Sequence, residues 1–278
     1  MKYDLHTHST ASDGTCTPSE NVLRALEKGL SGIALTDHDT VSGISEGIQE
    51  SEKHNNFLFV PGIEISTKYN GQDIHVLGYY INYEDDKLLK QLHELRNVRD
   101  QRNALIIEKL QHLGIAIEHD ELEKKRRLGG NVGRGHIAEL LMEKGVVKSL
   151  PEAFELYLGN GAKAYAMVER IPPAEAVEII RRAGGAAVLA HPGIYQDCDH
   201  LIKELAAAGL NGLECWHSDH SDSQRADYFA LAKTLHLIPT AGSDFHGFRN
   251  GQVFHGDLGS CYTGFETISQ LKAASEMR

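Results

Sequence analysis

Two histidines near the amino end, His6 and His8, are the first residues in this chain whose type and spacing suit chemistry. They lie in Tyr3-Asp4-Leu5-His6-Thr7-His8, which alternates as a β-strand does, and side chains two apart on a strand share a face. Asp13 follows in Ser12-Asp13-Gly14. Two neutral imidazole nitrogens and a carboxylate form a donor set for divalent cations. By itself a His-x-His pair is more often structural than chelating, so the reading depends on what the rest of the chain adds.

It adds the same theme six more times. Short apolar runs repeatedly end in ligand-type residues: Gly32-Ile33-Ala34-Leu35 in Thr36-Asp37-His38-Asp39, Phe57 to Ile63 in Glu64, and Gly185 to Ala190 in His191-Pro192-Gly193. Ile74 to Tyr79 carries His75 inside the run, Asn211-Gly212-Leu213 leads to Glu214 with His217 and His220 beyond, and Leu237 to Ala241 leads to Ser243-Asp244-Phe245-His246. An apolar run whose polar residues start at its carboxyl end reads as a strand buried on both faces. In parallel α/β folds the functional groups collect at that end, because the loops there converge. Singly, each residue also reads as a core histidine or a capping carboxylate. Together, His6, His8, Asp13, His38, Glu64, His75, His191, Asp244 and His246 predict a polynuclear metal centre.

The elements that must position these residues are seven strands alternating with helices. Thr17-Pro18-Ser19-Glu20 is a helix start with a capping box and Pro at the first turn, and Gly29 ends that helix. Further helices are predicted over Pro173 to Ala183, His200 to Ala208 and Asp222 to Leu235. The β-then-α order predicts an α/β parallel barrel. Residues 85 to 165 break the rhythm with Leu88, Leu92, Leu95, Arg99, Arg102, Ile106, Leu110 and Leu113 at helical spacing, closed by Gly114. Shorter helices are predicted over Gly133 to Lys144 and from the Ser149-Leu150-Pro151-Glu152 box to Leu158. We expect a helical insertion, 85–165, in a barrel made of 1–84 and 166–278.

Length and composition set the outer bounds. The 278 residues suffice for one large α/β domain, and 41% hydrophobic with 24% charged residues is ordinary for a globular chain, which excludes disorder and coiled coil. No apolar run approaches the roughly 20 residues that span a bilayer, and the amino end has no signal-peptide core, so we expect a cytoplasmic protein without membrane partners. Four scattered cysteines argue against a disulfide framework and a thiolate zinc site, leaving His and carboxylate to hold any metal. The net charge of −11 opposes binding to long nucleic acid. It is uneven: residues 85 to 165 hold 14 Lys+Arg against 13 Asp+Glu, a net of +1, which leaves −12 for the remainder.

The motifs Asp4-Leu5-His6-Thr7-His8-Ser9 with Ser12-Asp13-Gly14, Thr36-Asp37-His38-Asp39, Pro61-Gly62-Ile63-Glu64, His75, Ala190-His191-Pro192-Gly193 and Ser243-Asp244-Phe245-His246 resemble those of the PHP (polymerase and histidinol phosphatase) superfamily of metal-dependent phosphoesterases. The resemblance is closest to stand-alone nucleotide phosphatase members with a helical insert covering the active site. It implies a distorted (β/α)7 barrel with three divalent ions, manganese, iron or zinc. One ion would be held by His6, His8, Glu64 and Asp244, a second by Asp13, His38 and His246, and a third by Glu64, His75 and His191, with Glu64 bridging. A water bridging two such ions loses its proton near neutral pH and attacks phosphorus, so no side-chain nucleophile is required. The chain has no Gly-x-Ser-x-Gly elbow, Walker loop or dinucleotide fingerprint.

Other residues suit substrate. Arg134, in Asn131-Val132-Gly133-Arg134-Gly135-His136, sits in a glycine-flanked helix start where a guanidinium and free N–H groups fit a phosphate, with His136 beside it; Gly135 stands where the family often has Pro. His217 and His220 suit a phosphate contact or a leaving-group acid. We assign catalytic roles to His217, Arg134 and Asp244, and substrate contacts to Arg134, His136, His217 and His220. Asp37 and Asp39 suit the orientation of His38 or its neighbours. Lys124-Lys125-Arg126-Arg127, the one basic run, reads as a solvated helix end.

The expected activity is hydrolysis of phosphomonoesters of small nucleotides, a nucleoside 5′-phosphate or 3′,5′-bisphosphate. Exonuclease action on short RNA, a cyclic phosphodiesterase and histidinol phosphate phosphatase are the alternatives within the class. An amidohydrolase would add a metal-bridging Lys at a middle strand end, and none is found. A non-catalytic metal-binding scaffold need not keep every ligand, so the full set favours an enzyme.

Overall fold

The computed structural model describes residues 1–126, 130–249 and 251–277. Seven strands form one sheet in chain order: β1 (Tyr3–Asp4), β2 (Gly32–Leu35), β3 (Leu58–Tyr69), β4 (Gln72–Tyr79), β5 (Ala186–Leu189), β6 (Gly212–His217) and β7 (Ile238–Gly242). The sheet curls round until its edges meet. Leu5 N–H donates to the Ala241 carbonyl at 3.2 Å and His8 N–H to the Phe245 carbonyl at 2.8 Å, while Phe245 N–H returns to the His6 carbonyl at 3.3 Å. The result is a distorted (β/α)7 barrel.

The distortion corrects the expectation of a parallel barrel. β1 to β3 and β5 to β7 are parallel, but β4 runs antiparallel to both of its neighbours, β3 and β5. The cause is local. Asn70 and Gly71, at φ 47° and 80°, make a two-residue turn whose left-handed conformation suits Asn-Gly and matches strand twist, so the chain folds straight back after Tyr69. This hairpin carries Glu64 and His75 in strand interiors: Glu64 pairs with Leu77 and Ser66 with His75.

The helices between the strands begin and end where their caps are. In α1 (Pro18–Glu27), Thr17 accepts from Glu20 N–H at 3.1 Å while the Glu20 carboxylate accepts from Thr17 N–H at 2.7 Å. α7 (Pro173–Arg182), α8 (Cys198–Ala207) and α9 (Asp222–Thr234) lie within two residues of their expected bounds at each end. Helices that the sequence did not announce include α2 (Ile44–Ser51) and α10 (Phe265–Glu276). α10 buries Ile268, Leu271 and Ala274 in a cluster with Tyr3, Leu5, Leu77 and Val188 of the barrel interior. A short hairpin, β8 (Phe248–Arg249) with β9 (Gln252–Val253), follows the last ligand loop.

Between β4 and α7 lie α3 (Asp86–His112), α4 (His119–Glu123), α5 (Arg134–Glu143) and α6 (Leu150–Ala153). α6 is one turn only. It passes into a π-helical stretch at Phe154–Leu158, where an α-helix was expected. These helices share an apolar core of their own, including Ile106, Leu110, Ile137, Leu141 and Leu158. α3 is the tie to the barrel: Leu88, Leu92 and Leu95 belong to the main core, and the same buried stripe continues as Arg99 and Arg102. Of the basic run, Lys125 pairs with Glu139 and Glu143 at 3.1 and 2.9 Å, and Arg126 with Asp100 and Glu123 at 2.7 and 2.8 Å. These two are therefore struts between helices, not a solvated end; Arg127 lies outside the described residues.

Candidate metal centre

All nine expected ligands come together. Glu64 is the hub: its Oε1 lies 2.9 Å from His75 Nδ1, 3.1 Å from His191 Nε2 and 3.5 Å from His6 Nε2. Its Oε2 lies 2.8 Å from His38 Nδ1 and 3.3 Å from His8 Nε2. Asp244 Oδ1 stands 3.2 and 3.1 Å from His6 and His8 Nε2, and Asp13 Oδ1 stands 3.3 Å from His246 Nε2. Asp13, His38, His246 and also His8 have donor atoms within 4.8 Å of one another, a four-residue group that includes the three residues expected to share an ion.

Two further histidines close on Asp244. His217 Nε2 is 3.4 Å and His255 Nε2 3.6 Å from Asp244 Oδ2. His255 is the residue sequence reading missed, because it follows the short β8–β9 hairpin and not an apolar barrel strand. Its Nδ1 is fixed by Asp219 Oδ2 at 2.5 Å.

These donors fit divalent cations. His6 Nε2, both nitrogens of His8, His38 Nδ1, His217 Nε2, Asp13 Oδ1 and Glu64 Oε2 are buried without a hydrogen bond. Buried polar atoms are normally satisfied, and a shared set of lone pairs pointing inward is satisfied by a cation. Burial pulls His8 down to about 3 and His75 to about 4, keeping both imidazoles neutral, the form that ligates. Glu64 is raised by burial, but His38, His75 and His6 outweigh this and hold it well below the usual carboxylate range.

The supports behind the ligands are equally specific. Glu214, fully buried, accepts from His6 Nδ1 at 3.0 and 3.2 Å and from His191 N–H at 2.8 Å. Tyr195 hydroxyl meets His191 Nδ1 at 2.9 Å and accepts from His75 N–H at 2.9 Å. Asp37 does not reach His38; it accepts from Ser9 N–H, Ser9 Oγ and Ser12 Oγ at 2.8, 2.7 and 2.5 Å, and so fixes the loop that presents Asp13. Asp39, buried, takes Arg99 Nη2 at 2.6 Å and Nε at 3.0 Å. His191 and Asp244 have φ of 28° and 56°, left-handed values that cost energy in non-glycine residues and cluster at functional sites.

A cavity of about 260 Å³ opens onto this centre. Its lining includes His38, Glu64, His75, His191, Asp244 and His246 of the centre together with Arg99, Arg102, Arg134 and Phe154 of the inserted helices, and Arg249 and Phe254. Arg134 reaches it as expected, with Nη2 on Asp73 Oδ2 at 2.9 Å and its guanidinium 5.8 Å from the centre of the Phe154 ring. His217, His136 and His220 do not line it. His136 Nδ1 accepts from Gly133 N–H at 3.3 Å. His220 is committed at both ends, to Gly193 N–H at 3.0 Å and to the Cys215 carbonyl at 3.0 Å.

The fold and this centre define a metal-dependent phosphoesterase, and residues 4–171 match the PHP domain model. The chain belongs to the PHP family. It is 38% identical over 251 residues to the 5′-3′ exoribonuclease Rnm of Escherichia coli, covering 88% of this chain and 85% of that one. It is 32% identical over 247 residues to the 3′,5′-nucleoside bisphosphate phosphatase of Chromobacterium violaceum, covering 87% and 86%. A crystal structure of a proposed metal-dependent phosphoesterase from Bifidobacterium adolescentis superposes with a TM-score of 0.89 at 28% identity, over 98% of this chain and 96% of that one. The chain is an enzyme of the phosphoric ester hydrolase class that uses divalent metal. Among the described residues no helix is long and apolar enough to cross a membrane.

Proposed function

We propose that this protein removes a phosphate from small nucleotides, a nucleoside 5′-phosphate or 3′,5′-bisphosphate, using three divalent ions of manganese, iron or zinc. The observation that carries this reading is the mixed lining of the cavity: a carboxylate–imidazole centre shares about 260 Å³ with arginines and phenylalanines. That volume is at the small end of ligand sites, suited to one nucleotide and not to a folded chain. Bound divalent ions supply Lewis acidity, activating water at neutral pH and neutralising phosphoryl oxygens.

The chain's own residues do the rest. Glu64 spans the centre because it lies in a paired strand and its two oxygens face different histidines. Glu214 fixes His6 with its proton on Nδ1 and its Nε2 lone pair inward. Arg134 grips a phosphate oxygen from the insert side, and the Phe154 and Phe254 rings, 6.3 Å apart and 19° from parallel, offer flat apolar surface to a base. The insert, 85–165, thereby roofs the site.

Phosphate release from a panel of phosphorylated metabolites, with metal added, tests the reading. Arg134→Ala should lower kcat/KM on the best nucleotide about ten- to hundred-fold, the range of a charge-assisted contact, and Arg134→Lys should restore part of it. Unchanged kinetics would remove the roof. The exoribonuclease relative supports a second reading, in which the same cavity takes the terminal nucleotide of short RNA; a higher kcat/KM on short oligoribonucleotides than on any mononucleotide would select it.

A further inference from the structure

His217, at the end of β6, stands among the ligands but is wired in the opposite sense. It is fully buried, its Nε2 lies 3.4 Å from Asp244 Oδ2, and with His6 and Asp244 it has donor atoms within 4.8 Å of one another, as a metal ligand would. The other ring nitrogen decides its role. His217 Nδ1 accepts from the Asp219 backbone N–H at 3.1 Å. A main-chain amide can only donate, so in the neutral ring Nδ1 holds the lone pair and Nε2 the proton. His6 is the contrast: its Nδ1 faces the Glu214 carboxylate, which leaves its Nε2 with the lone pair. Two imidazoles whose centres lie 5.9 Å apart thus differ in kind, one an acceptor suited to a cation and the other a donor.

The turn that imposes this is held firmly. The His217 carbonyl accepts from His220 N–H at 3.2 Å and from Arg225 Nη2 at 3.0 Å. The Asp219 carboxylate, which could draw a proton onto His217 Nδ1, lies 4.0 Å from it and is spent on His255 Nδ1 at 2.5 Å. Turned over, the ring would set a carbon against the Asp219 N–H. A nitrogen that carries a proton cannot ligate, and the acceptor in front of this one is Asp244 Oδ2. The other oxygen of that carboxylate, Oδ1, faces His6 and His8 at 3.2 and 3.1 Å.

We propose that His217 is a positioning residue, neither a metal ligand nor the acid that protonates the leaving group. Its Nε2–H holds Asp244 Oδ2 and so turns Oδ1 toward the ion that His6 and His8 share. The inference rests on the assignment of Asp244 to that ion. It also accounts for a histidine that lies against a ligand and yet does not line the cavity.

The tautomer can be read without turnover. Full-length, zinc-loaded protein isotopically labelled in its histidine ring nitrogens is observed by heteronuclear NMR, and the His217 signals are those that His217→Gln removes. We expect a proton on Nε2 and a bare Nδ1; a proton on Nδ1, or an Nε2 bound to zinc, would overturn the proposal. Chelator competition gives a second readout. His217→Leu should weaken one ion about ten- to hundred-fold, and His217→Gln, whose NH2 stands where the Nε2–H stood, should recover most of the loss. A Leu variant as tight as wild type, or a Gln variant as weak as Leu, would refute it, and the wild-type spectrum decides if the Leu variant does not fold. Aryl phosphates of graded leaving-group pKa separate the acid role: the ratio of kcat/KM between wild type and His217→Gln should stay constant along the series, whereas a loss that grows with leaving-group pKa would make His217 the acid. Wild type that retains no ion would sink the assignment of Asp244 and this role with it; normal retention with the proton on Nδ1 would sink this role alone.

Discussion

Glu214 offers the most demanding test of the centre, because it touches no cavity and yet decides what His6 can do. Its carboxylate accepts two protons at once, from His6 Nδ1 and from the His191 backbone N–H. Glu214→Gln keeps the shape and leaves one acceptor oxygen. If that oxygen serves His191, the new NH2 faces His6 Nδ1, moves the imidazole proton to Nε2 and removes the lone pair meant for metal. If it serves His6, the NH2 opposes a backbone N–H, donor against donor. Either arrangement leaves one buried group unsatisfied at a cost of about 1–3 kcal/mol, roughly 5- to 150-fold in an equilibrium constant. That brackets the 10- to 100-fold loss in metal affinity typical of groups behind a ligand. Competition against a chromophoric chelator measures it, and the melting temperature with and without metal provides a second readout. A Glu214→Gln protein with unchanged metal affinity would refute the argument that Glu214 sets the His6 tautomer.

Other residues give sharper or broader effects. Asp13→Ala and His191→Ala, at opposite sides of the Glu64 hub, should each lower kcat by orders of magnitude with an unchanged circular dichroism spectrum; near-normal turnover in either would show its ligand to be dispensable. Arg99→Met leaves the buried Asp39 carboxylate with only Arg170, at 3.7 Å, as counter-ion and should destabilise the fold by about 3 kcal/mol in urea unfolding. A Cβ on Gly242 would lie 2.2 Å from the His6 Cβ. Gly242→Ala should therefore displace His6, lowering stability by about 1–3 kcal/mol and reducing the metal retained on purification.

That the nine candidate residues would gather was legible because the signal is local: most of them follow or interrupt an apolar run, and strand sense did not matter to finding them. Strand direction was less legible. Glu64 looked like a strand-end residue of a parallel barrel and His75 sat inside its run, and only the Asn70-Gly71 turn, readable as a hairpin signal, announced that they ride on a reversed pair. The partners of the ligands were hidden for a different reason. Glu214 reaches His6 and Tyr195 reaches His75 across more than a hundred residues of separation, and Asp37, expected on His38 or its neighbours, holds Ser9 and Ser12. The arginine wall was hidden by its own periodicity, since Arg99 and Arg102 occupy stripe positions that read as packing. His220 shows the converse: a histidine in the right place by sequence, but spent on two backbone groups.

The separate apolar core of the inserted helices bears on how such a chain diversifies. A segment that folds around its own centre can be exchanged between related barrels as a unit, changing what is admitted without disturbing the hydrolytic machinery beneath. Here the exchange is not free, because the His38–Asp39 loop is gripped from above by Arg99 on the carboxylate and by Asn131 on the His38 carbonyl. A chimera that transplants the helices must therefore carry these residues, and Arg96, which donates to the Asp39 carbonyl at 3.2 Å, or the graft will loosen the loop that carries His38. Exchange of the helices and integrity of the centre are stitched together at three side chains, Arg96, Arg99 and Asn131.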